Sequence, residues 1–283
     1  QLARQHVTVV LSGEGADEIY AGYEWYADTP LMQKYKHIPA PLRHLASDAS
    51  QHLPYFKGHD FIIKGSGRPE DWFIGQAHVF EEKDAYDILR PKYRVGPTAR
   101  EVAAPIYDRV KDLSELEKKQ YLDLNLWLPG DILLKADKMS MANSLELRVP
   151  FLDKKVMELA EQIPTRYRVT REAVTDEKTP YITKYAMRLA AKKDTPPQTA
   201  KTAAKKKLGF PVPIRVWLKE DKYYSIVRER FESDEANRFF HTEKLVHLLD
   251  DHRAGKADNS RKIWTLYMFL VWYQIYFPEA CGA

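Results

Sequence analysis

The stretch HVTVVLSGEGADEIYAGY at residues 6–23 constrains the fold of this chain more than any other. Residues 7–11 are a short apolar, β-branched run in which Thr8 is the one polar member, a pattern typical of a parallel strand buried on both faces. Gly13 and Gly15 break the run, and acidic residues typical of the first turn of a helix follow. A strand, a glycine-containing turn and a helix place backbone N–H groups where they can bind an anion.

The same turn carries three carboxylates, Glu14, Asp17 and Glu18. Carboxylates repel a phosphate unless a cation lies between them. Mg²⁺ is suited to this position, since it binds one or two protein carboxylates and completes its coordination with phosphate oxygens and water. The residues therefore indicate a magnesium–polyphosphate site. They leave a second interpretation open, in which the glycines only shape a turn and the acids stabilise the start of a helix.

Composition excludes several classes of protein. The chain is 44% hydrophobic and 12% aromatic, which indicates a folded globular protein. With 44 basic and 40 acidic residues the net charge is only +4, too small to indicate nucleic-acid binding. The single cysteine, Cys281, excludes intrachain disulfides and cysteine-based zinc sites and favours a reducing, cytoplasmic compartment. No histidine pair has metal-ligand spacing.

The longest apolar stretch, residues 263–277, is interrupted by Thr265 and Gln274. It is shorter than the about 20 residues that cross a bilayer, so we expect a buried helix and no membrane association. The chain begins with Gln1 and almost at once enters an apparent central strand. Because a lone parallel strand has no partner, we expect the rest of its sheet to lie upstream of Gln1.

Helical patterns dominate the rest of the chain. Ser114 and Glu117 form an S-x-x-E capping box at the start of a long helix. The other expected elements are short helices between the prolines of residues 30–54, a helix over 71–89, an interruption at Pro129-Gly130 with a restart to 141, a helix between Asp153 and Pro164, a helix over 181–193 opened by Thr179-Pro180, and a helical section over 213–277. The predicted fold is predominantly α-helical, the later part of an α/β domain, with one buried parallel strand near the N-terminus.

Three further segments are rich in charge. In residues 129–153 most charges fit a surface laced with ion pairs, and Glu146 with Arg148 is predicted to be a structural pair. Lys184 and Arg188 are four residues apart on one helix face, where they form either a phosphate clamp or a solvated basic face. Residues 205–217 combine a lysine run with a rigid turn around Gly209. The lysine run has no interleaved aromatic residues, which disfavours nucleic acid.

Four segments together resemble successive signatures of the glutamine-hydrolysing asparagine synthetases. They are LSGEGADEIYAGY, LLKADKMSMANSLELRVPFLD, KTPYITKYAMR and KKKLGFPVPIRVWL, and they extend from Val7 to about Leu218 in the same order as in that family. The synthetase domain of these enzymes is an α/β PP-loop ATP pyrophosphatase. The resemblance implies that residues 1–283 are the C-terminal portion of such a domain.

The resemblance also implies a reaction. ATP adenylates the side-chain carboxylate of aspartate to give β-aspartyl-AMP and pyrophosphate, and ammonia then displaces AMP to give asparagine. By motif position, Ser12 and Gly13 are implied to contact the nucleotide, and Glu14 to act in forming and breaking the acyl-adenylate.

Three more residues take roles from the same resemblance. Asp17 matches the ligand of Mg²⁺ on the pyrophosphate side, and Lys184 matches the lysine that neutralises the leaving pyrophosphate. Lys135 falls at a position where the family often has arginine or lysine. The implied cofactors and substrates are ATP, Mg²⁺ and aspartate.

Some family features are absent from these residues. Family members begin with a cysteine nucleophile for glutamine hydrolysis and carry an SGGxDS loop, whereas the Ser-Gly pairs here, at Ser12 and Ser66, lack that continuation. We therefore expect ammonia to come from an N-terminal glutaminase domain or subunit, and this chain alone neither to hydrolyse glutamine nor to make asparagine. A homodimer is a further expectation. Two alternatives stay open: a paralogue that closes a β-lactam or peptide ring by the same chemistry, and a non-catalytic interaction module.

Overall fold

The chain is mostly helical. The structure is a computed structural model, and it describes residues 1–53, 56–76, 78–171, 174, 181–205 and 212–278. Within these residues it contains two strands, β1 (Val9–Leu11) and β2 (Glu146–Arg148), and a series of α-helices. The helices are α1 (Ala16–Ile19), α2 (Pro30–Lys36), α3 (Ala40–Gln51), α4 (His59–Ser66), α5 (Pro69–Trp72), α6 (Glu82–Ile88), α7 (Ala99–Tyr107), α8 (Glu115–Asn125), α9 (Leu134–Met141), α10 (Lys154–Glu161), α11 (Thr165–Arg168), α12 (Tyr185–Asp194), α13 (Pro197–Ala203), α14 (Ile214–Trp217), α15 (Asp221–Phe231), α16 (Asp234–Phe239), α17 (Thr242–Arg253) and α18 (Ser260–Tyr276). The predominantly α-helical fold class is confirmed.

The first strand is parallel, as predicted, but it is neither lone nor buried. β1 pairs with β2 in a register that places Val9 beside Glu146 and Leu11 beside Arg148. The side chain of Leu11 is 74% exposed, because a sheet of two short strands covers little of either one. The predicted structural ion pair is confirmed: Arg148 Nε lies 2.7 Å from Glu146 Oε1 on β2.

The residues divide into two compact units, each with its own core. The first comprises Gln1–Ala77 and Arg100–Lys206, and the second His78–Ala99 and Lys207–Ala283. In the second unit, α15, α17 and α18 bury a cluster whose innermost members are fully buried: Phe231, Leu245, Leu249, Ile263 and Leu270.

The first unit contains both strands and two apolar clusters. One surrounds Tyr26, Phe73 and Leu122. The other contains Ile19 and Ala160, so that α1 packs against α8 and α10. The turn between β1 and α1 is thus held against the interior of this unit.

The long helical segment after residue 114 begins as predicted and continues differently. Ser114 Oγ accepts from the Glu117 N–H, and Glu117 Oε2 accepts from the Ser114 N–H, which confirms the capping box. At Pro129 the chain forms a π-helical segment, Leu128–Leu133, that leads directly into α9. Because proline lacks an N–H donor, the regular α-helical hydrogen bonding cannot continue through Pro129. The chain changes to the wider π-helical hydrogen-bond pattern there and remains helical.

Other helix predictions have mixed outcomes. The predicted helix over 71–89 is wrong: α5 ends at Trp72 and α6 begins at Glu82, separated by a segment in which Gly75 has φ +78°. The cap of α10 is confirmed, since the Lys155 N–H donates to Asp153 Oδ1 at 2.9 Å. The α12 helix begins at Tyr185 rather than residue 181. The Thr179-Pro180 opening lies outside the described residues, as do Gly209 and Cys281.

The last helix is buried on one face only, which corrects the expectation of a buried helix. Ile263, Leu266 and Leu270 face the core of the second unit, whereas Trp272 and Ile275 are exposed. The neighbouring helices α14–α17 cover a single side of α18. None of the helices in the described part of the chain is both long enough and apolar enough to span a bilayer.

Candidate functional site

The turn at residues 12–15 follows directly from the end of the strand pair. The Ser12 N–H donates to the carbonyl of Arg148 at 2.9 Å, which prolongs the β1–β2 pairing into the turn. Gly15 has φ +86°, and a Cβ there would lie 2.4 Å from Leu152 Cδ2. Only glycine satisfies both the backbone angle and the close approach. At Gly13 a Cβ would meet nothing within 4 Å, so the space beside this residue is open.

The helix α1 that follows the turn has a single helical turn and is anchored from outside. Gln120 Nε2 on α8 donates to the carbonyls of Glu18 at 2.6 Å and Ile19 at 2.9 Å. Arg168 Nη1 on α11 donates in turn to Gln120 Oε1 at 2.9 Å. These contacts, and not a long helix dipole, fix the position of the turn.

Asp17 and Lys184 form the tighter of two acid–base pairs at this turn. Lys184 Nζ lies 3.0 Å from Asp17 Oδ1, and both side chains are mostly buried. Lys184 itself has φ +52°, immediately before α12. Gly22 lies against the pair: a Cβ at that position would be 1.9 Å from Asp17 Oδ1 and 2.3 Å from Lys184 Cε. The pair therefore requires a residue without a side chain at position 22.

Glu14 and Lys135 form the second, looser pair. Lys135 Nζ, on α9, lies 4.0 Å from Glu14 Oε1, and the lysine side chain is 55% exposed. The structure thus places a lysine from a distant part of the chain beside Glu14 and another beside Asp17. Ser12 and Gly13 lie in the turn itself.

The third acid of the turn, Glu18, points into the protein. Its side chain is 1% exposed and accepts a 2.6 Å hydrogen bond from the Tyr23 hydroxyl. Burial raises the pKa of the Glu18 carboxyl. The ring of Tyr23 stacks on Trp25, with ring centroids 4.3 Å apart. Glu18 therefore supports the turn from inside the protein.

Arg188 does not join Lys184 in a two-cation clamp. Its Nε donates to the Thr183 carbonyl at 2.8 Å, and its Nη1 donates to the carbonyls of Lys205, at 2.9 Å, and Ala203. The guanidinium therefore ties the end of α13 to α12, which is a structural role. Of the two cations that sequence spacing placed on one face, Lys184 alone contacts Asp17 among the described residues.

The turn supplies few carboxylates for a metal ion. Among the described residues there is no cluster of three or more His, Cys, Asp or Glu side chains that could hold a metal by itself. Glu14 and Asp17 are close in the sequence and only partly buried. Mg²⁺ binds one or two protein carboxylates and completes its coordination with phosphate oxygens and water, so Asp17 would suffice as its protein ligand if a polyphosphate were bound beside it.

Three residues at the site were missed by the sequence analysis. Gly22 lies in the same stretch LSGEGADEIYAGY as the turn, but nothing in that stretch indicates that the Lys184 side chain packs against this glycine. Gln120 and Arg168 contact α1 or support that contact from far along the chain. No local pattern marks a hydrogen bond between such distant residues.

Comparison with known proteins identifies the family. The asparagine synthase family matches residues 1–274. Glutamine-hydrolysing asparagine synthetase 1 of Bacillus subtilis is 40% identical over 283 residues, which cover 98% of this chain and 43% of that protein. A relative from Mycobacterium tuberculosis is 38% identical over 275 residues, which cover 97% of this chain and 40% of the relative. The chain thus spans about two fifths of the length of these relatives, and it belongs to the asparagine synthase family, within the synthetase part.

Proposed function

We propose that this chain is the part of an ATP-dependent, glutamine-hydrolysing asparagine synthetase that adenylates aspartate. The observation that carries the proposal is the pairing of Asp17 with Lys184 and of Glu14 with Lys135 around a glycine turn, in a chain of this family. The name of the Bacillus subtilis relative supports the same reaction.

The reaction has two steps that balance. An oxygen of the aspartate side-chain carboxylate attacks the α-phosphorus of ATP, the bond to pyrophosphate breaks, and β-aspartyl-AMP forms. Ammonia then attacks the activated carbonyl carbon and AMP leaves with the oxygen that aspartate contributed. The ammonium proton passes to a base as the amide forms.

Ser12 and Gly13 are proposed to contact the nucleotide. The open space beside Gly13 supports this role, because a ligand can approach the backbone there without meeting a side chain. The Ser12 N–H donates a 2.9 Å hydrogen bond to the Arg148 carbonyl. This bond fixes the backbone from which the Ser12 hydroxyl extends.

Asp17 is proposed to hold Mg²⁺, and Lys184 to neutralise the leaving pyrophosphate. Bound Mg²⁺ would supply positive charge to the phosphate oxygens. In this structure each side chain is the counter-ion of the other at 3.0 Å. Asp17 can exchange the ammonium for Mg²⁺, and Lys184 can exchange the carboxylate for a phosphate oxygen, so neither charge is left unpaired.

Glu14 is proposed to accept the proton from the attacking ammonia. Its carboxylate is partly exposed and stands on the same turn as the nucleotide contacts. Lys135 is proposed to support nucleotide binding from its position beside Glu14. Its high exposure indicates a smaller contribution than that of Lys184.

We further propose that residues 1–283 are the C-terminal portion of the synthetase domain and that ammonia comes from a glutaminase domain or subunit. The supporting observation is that the chain spans 43% of a relative named for glutamine hydrolysis. A cytoplasmic location and a homodimer stay predictions.

The experiment uses the complete polypeptide that contains these residues, with Mg-ATP, ammonium chloride and aspartate labelled with ¹⁸O in the side-chain carboxylate. The proposal predicts asparagine, pyrophosphate and AMP that carries one ¹⁸O atom. Production of ADP and phosphate in place of AMP would contradict it. AMP formation that requires a different carboxylate would retain the adenylation and assign the protein to ring-closing or other amide-forming chemistry.

A further inference from the structure

The first unit contains a pocket of about 600 Å³ that none of the six candidate site residues lines. It lies beside the N-terminal end of α8, and we term it the α8 pocket. Its walls include Tyr26, Lys36, Glu115, Lys119, Arg166 and Tyr181.

Lys119 is the most deeply placed cation of the α8 pocket. Lys119 is 2% exposed. Its Nζ donates one hydrogen bond, to the Trp25 carbonyl at 3.2 Å. The ammonium also lies 5.0 Å from the centroid of the Trp72 ring. Within the described residues no carboxylate oxygen lies within 4.0 Å of it. An ammonium has three donors, so this buried charge retains capacity for an anionic acceptor.

The carboxylates of the α8 pocket are engaged by another cation. Lys36 Nζ lies 2.7 Å from Asp28 Oδ2 and 2.5 Å from Glu115 Oε2. The pocket walls contain four cations, with Arg166 and Arg171 at the exposed side, against these two carboxylates. The excess of positive charge favours a negatively charged occupant.

The cations lie at two depths, and part of the pocket wall is apolar. Lys119 is buried, whereas Arg166 and Arg171 are exposed. Leu116 and Val169 also line the pocket and offer surface to a short hydrocarbon chain. An arginine guanidinium suits a carboxylate because it can bind both oxygens.

We propose that the α8 pocket binds a small organic dicarboxylate, with one carboxylate at Lys119 and the other at Arg166. This site is additional to the one that adenylates aspartate. Burial lowers the pKa of Lys119, and an anion beside the ammonium stabilises the charged form, which adds to the attraction.

The test is calorimetric titration of the complete polypeptide with succinate, which lacks the amino group of aspartate, and with propionate, which has one carboxylate. We expect saturable succinate binding and clearly weaker propionate binding. Arg166→Gln removes an exposed charge without disturbing the interior. It should lower the affinity for succinate about tenfold, which corresponds to the loss of one charge-assisted hydrogen bond. Lys119→Met should abolish binding, with near-ultraviolet circular dichroism as the check of folding.

Lys154→Gln on α10 is the matched control, because Lys154 is exposed and does not line the pocket. It should leave succinate affinity unchanged. Absence of saturable succinate binding, or equal binding by the wild type and Arg166→Gln, would overturn the proposal. A rise in the KM for aspartate that parallels the loss of succinate would also overturn it, since the pocket would then belong to the substrate, and the adenylation function would stand.

Discussion

Lys184 has a backbone conformation that few lysines adopt, with φ +52°. Such a conformation costs about 1–3 kcal/mol and persists only where the surroundings enforce it. Here it carries the side chain to Asp17, past a glycine that leaves room for both. The side chain of Lys184 is therefore held in a mostly buried ion pair and is not part of a solvated basic face.

Gly22→Ala tests whether this packing matters. A Cβ would overlap Asp17 Oδ1 and Lys184 Cε, so the pair must separate or the turn must move. We expect aspartate-dependent pyrophosphate release to fall by about 10²-fold, since displacements near 1 Å have effects of that size. Gly130→Ala is the control, because a Cβ there meets nothing within 4 Å. Equal rates for both variants would show that the pair has no role in turnover.

Asp123 predicts a measurable pH dependence of stability. It is fully buried and accepts a 2.7 Å hydrogen bond from the Tyr26 hydroxyl, and burial raises its pKa to about 6. Between about pH 4 and pH 6 the folded protein therefore holds a proton that the unfolded chain has lost. The contribution of Asp123 to the free energy of unfolding falls as the pH rises through this window, by about 3 kcal/mol, and is then constant.

Asp123→Asn removes the titration and keeps an acceptor for Tyr26. Urea unfolding of the wild type and the variant at about pH 4.5 and pH 7.5 measures the difference. The wild type should lose stability relative to the variant at the higher pH. An identical pH dependence of the two proteins would show that Asp123 does not titrate in this window.

At the scale of elements, α1 depends on its neighbours. A single helical turn is not stable alone, and the contacts of Gln120 and Arg168 hold it between α8 and α10. Arg168 also donates to the carbonyls of Ile163, at 2.8 Å, and Glu161, at 3.1 Å. The guanidinium thus joins three segments at the base of the candidate site.

Arg168→Lys should break part of this junction while the charge remains. One ammonium cannot reproduce the planar geometry of the guanidinium, so buried acceptors lose their donors. We expect the free energy of unfolding to fall by about 1–3 kcal/mol, measured by urea unfolding. Arg166→Lys, two residues away and exposed, should change it little. Comparable losses in both variants would contradict the assigned role of Arg168.

Elements whose signals are local could be predicted from the sequence. The capping box at Ser114 and the strand followed by the glycine turn depend on neighbouring residues, and both are present. The partner strand β2 was missed because Glu146 and Arg148 flank Leu147, and so the segment lacks an apolar run. Its pairing with β1 joins distant parts of the chain, which single-sequence patterns do not encode.

In the candidate site, too, the local features could be predicted from the sequence and the long-range contacts could not. The residues of the turn, Ser12 to Asp17, follow from one short motif and its resemblance to a family. The contact between Lys184 and Asp17 depends on tertiary packing, as does the space that Gly22 leaves for the two side chains. The burial of Glu18 beside Tyr23 likewise depends on tertiary packing, and it distinguishes this acid from Glu14 and Asp17, which pair with lysines.

At the scale of the whole molecule, all six candidate residues lie in the first of the two compact units. The family match extends over residues 1–274 and so includes most of the second unit as well. The chain spans about two fifths of its relatives, so glutamine hydrolysis and ammonia delivery are properties proposed for a longer protein. The adenylation of aspartate is likewise proposed for that longer protein, to which the residues described here would contribute the glycine turn and its two acid–lysine pairs.

The most direct measurement is pyrophosphate release from Mg-ATP by the complete polypeptide, with and without aspartate, in the wild type and in Asp17→Asn. We expect release that requires aspartate and that falls by about 10²-fold or more in Asp17→Asn. Asp112→Asn, an exposed acid away from the turn, should retain the wild-type rate. Release that does not require aspartate, or that continues in Asp17→Asn at the wild-type rate, would show that Asp17 does not serve the adenylation of aspartate.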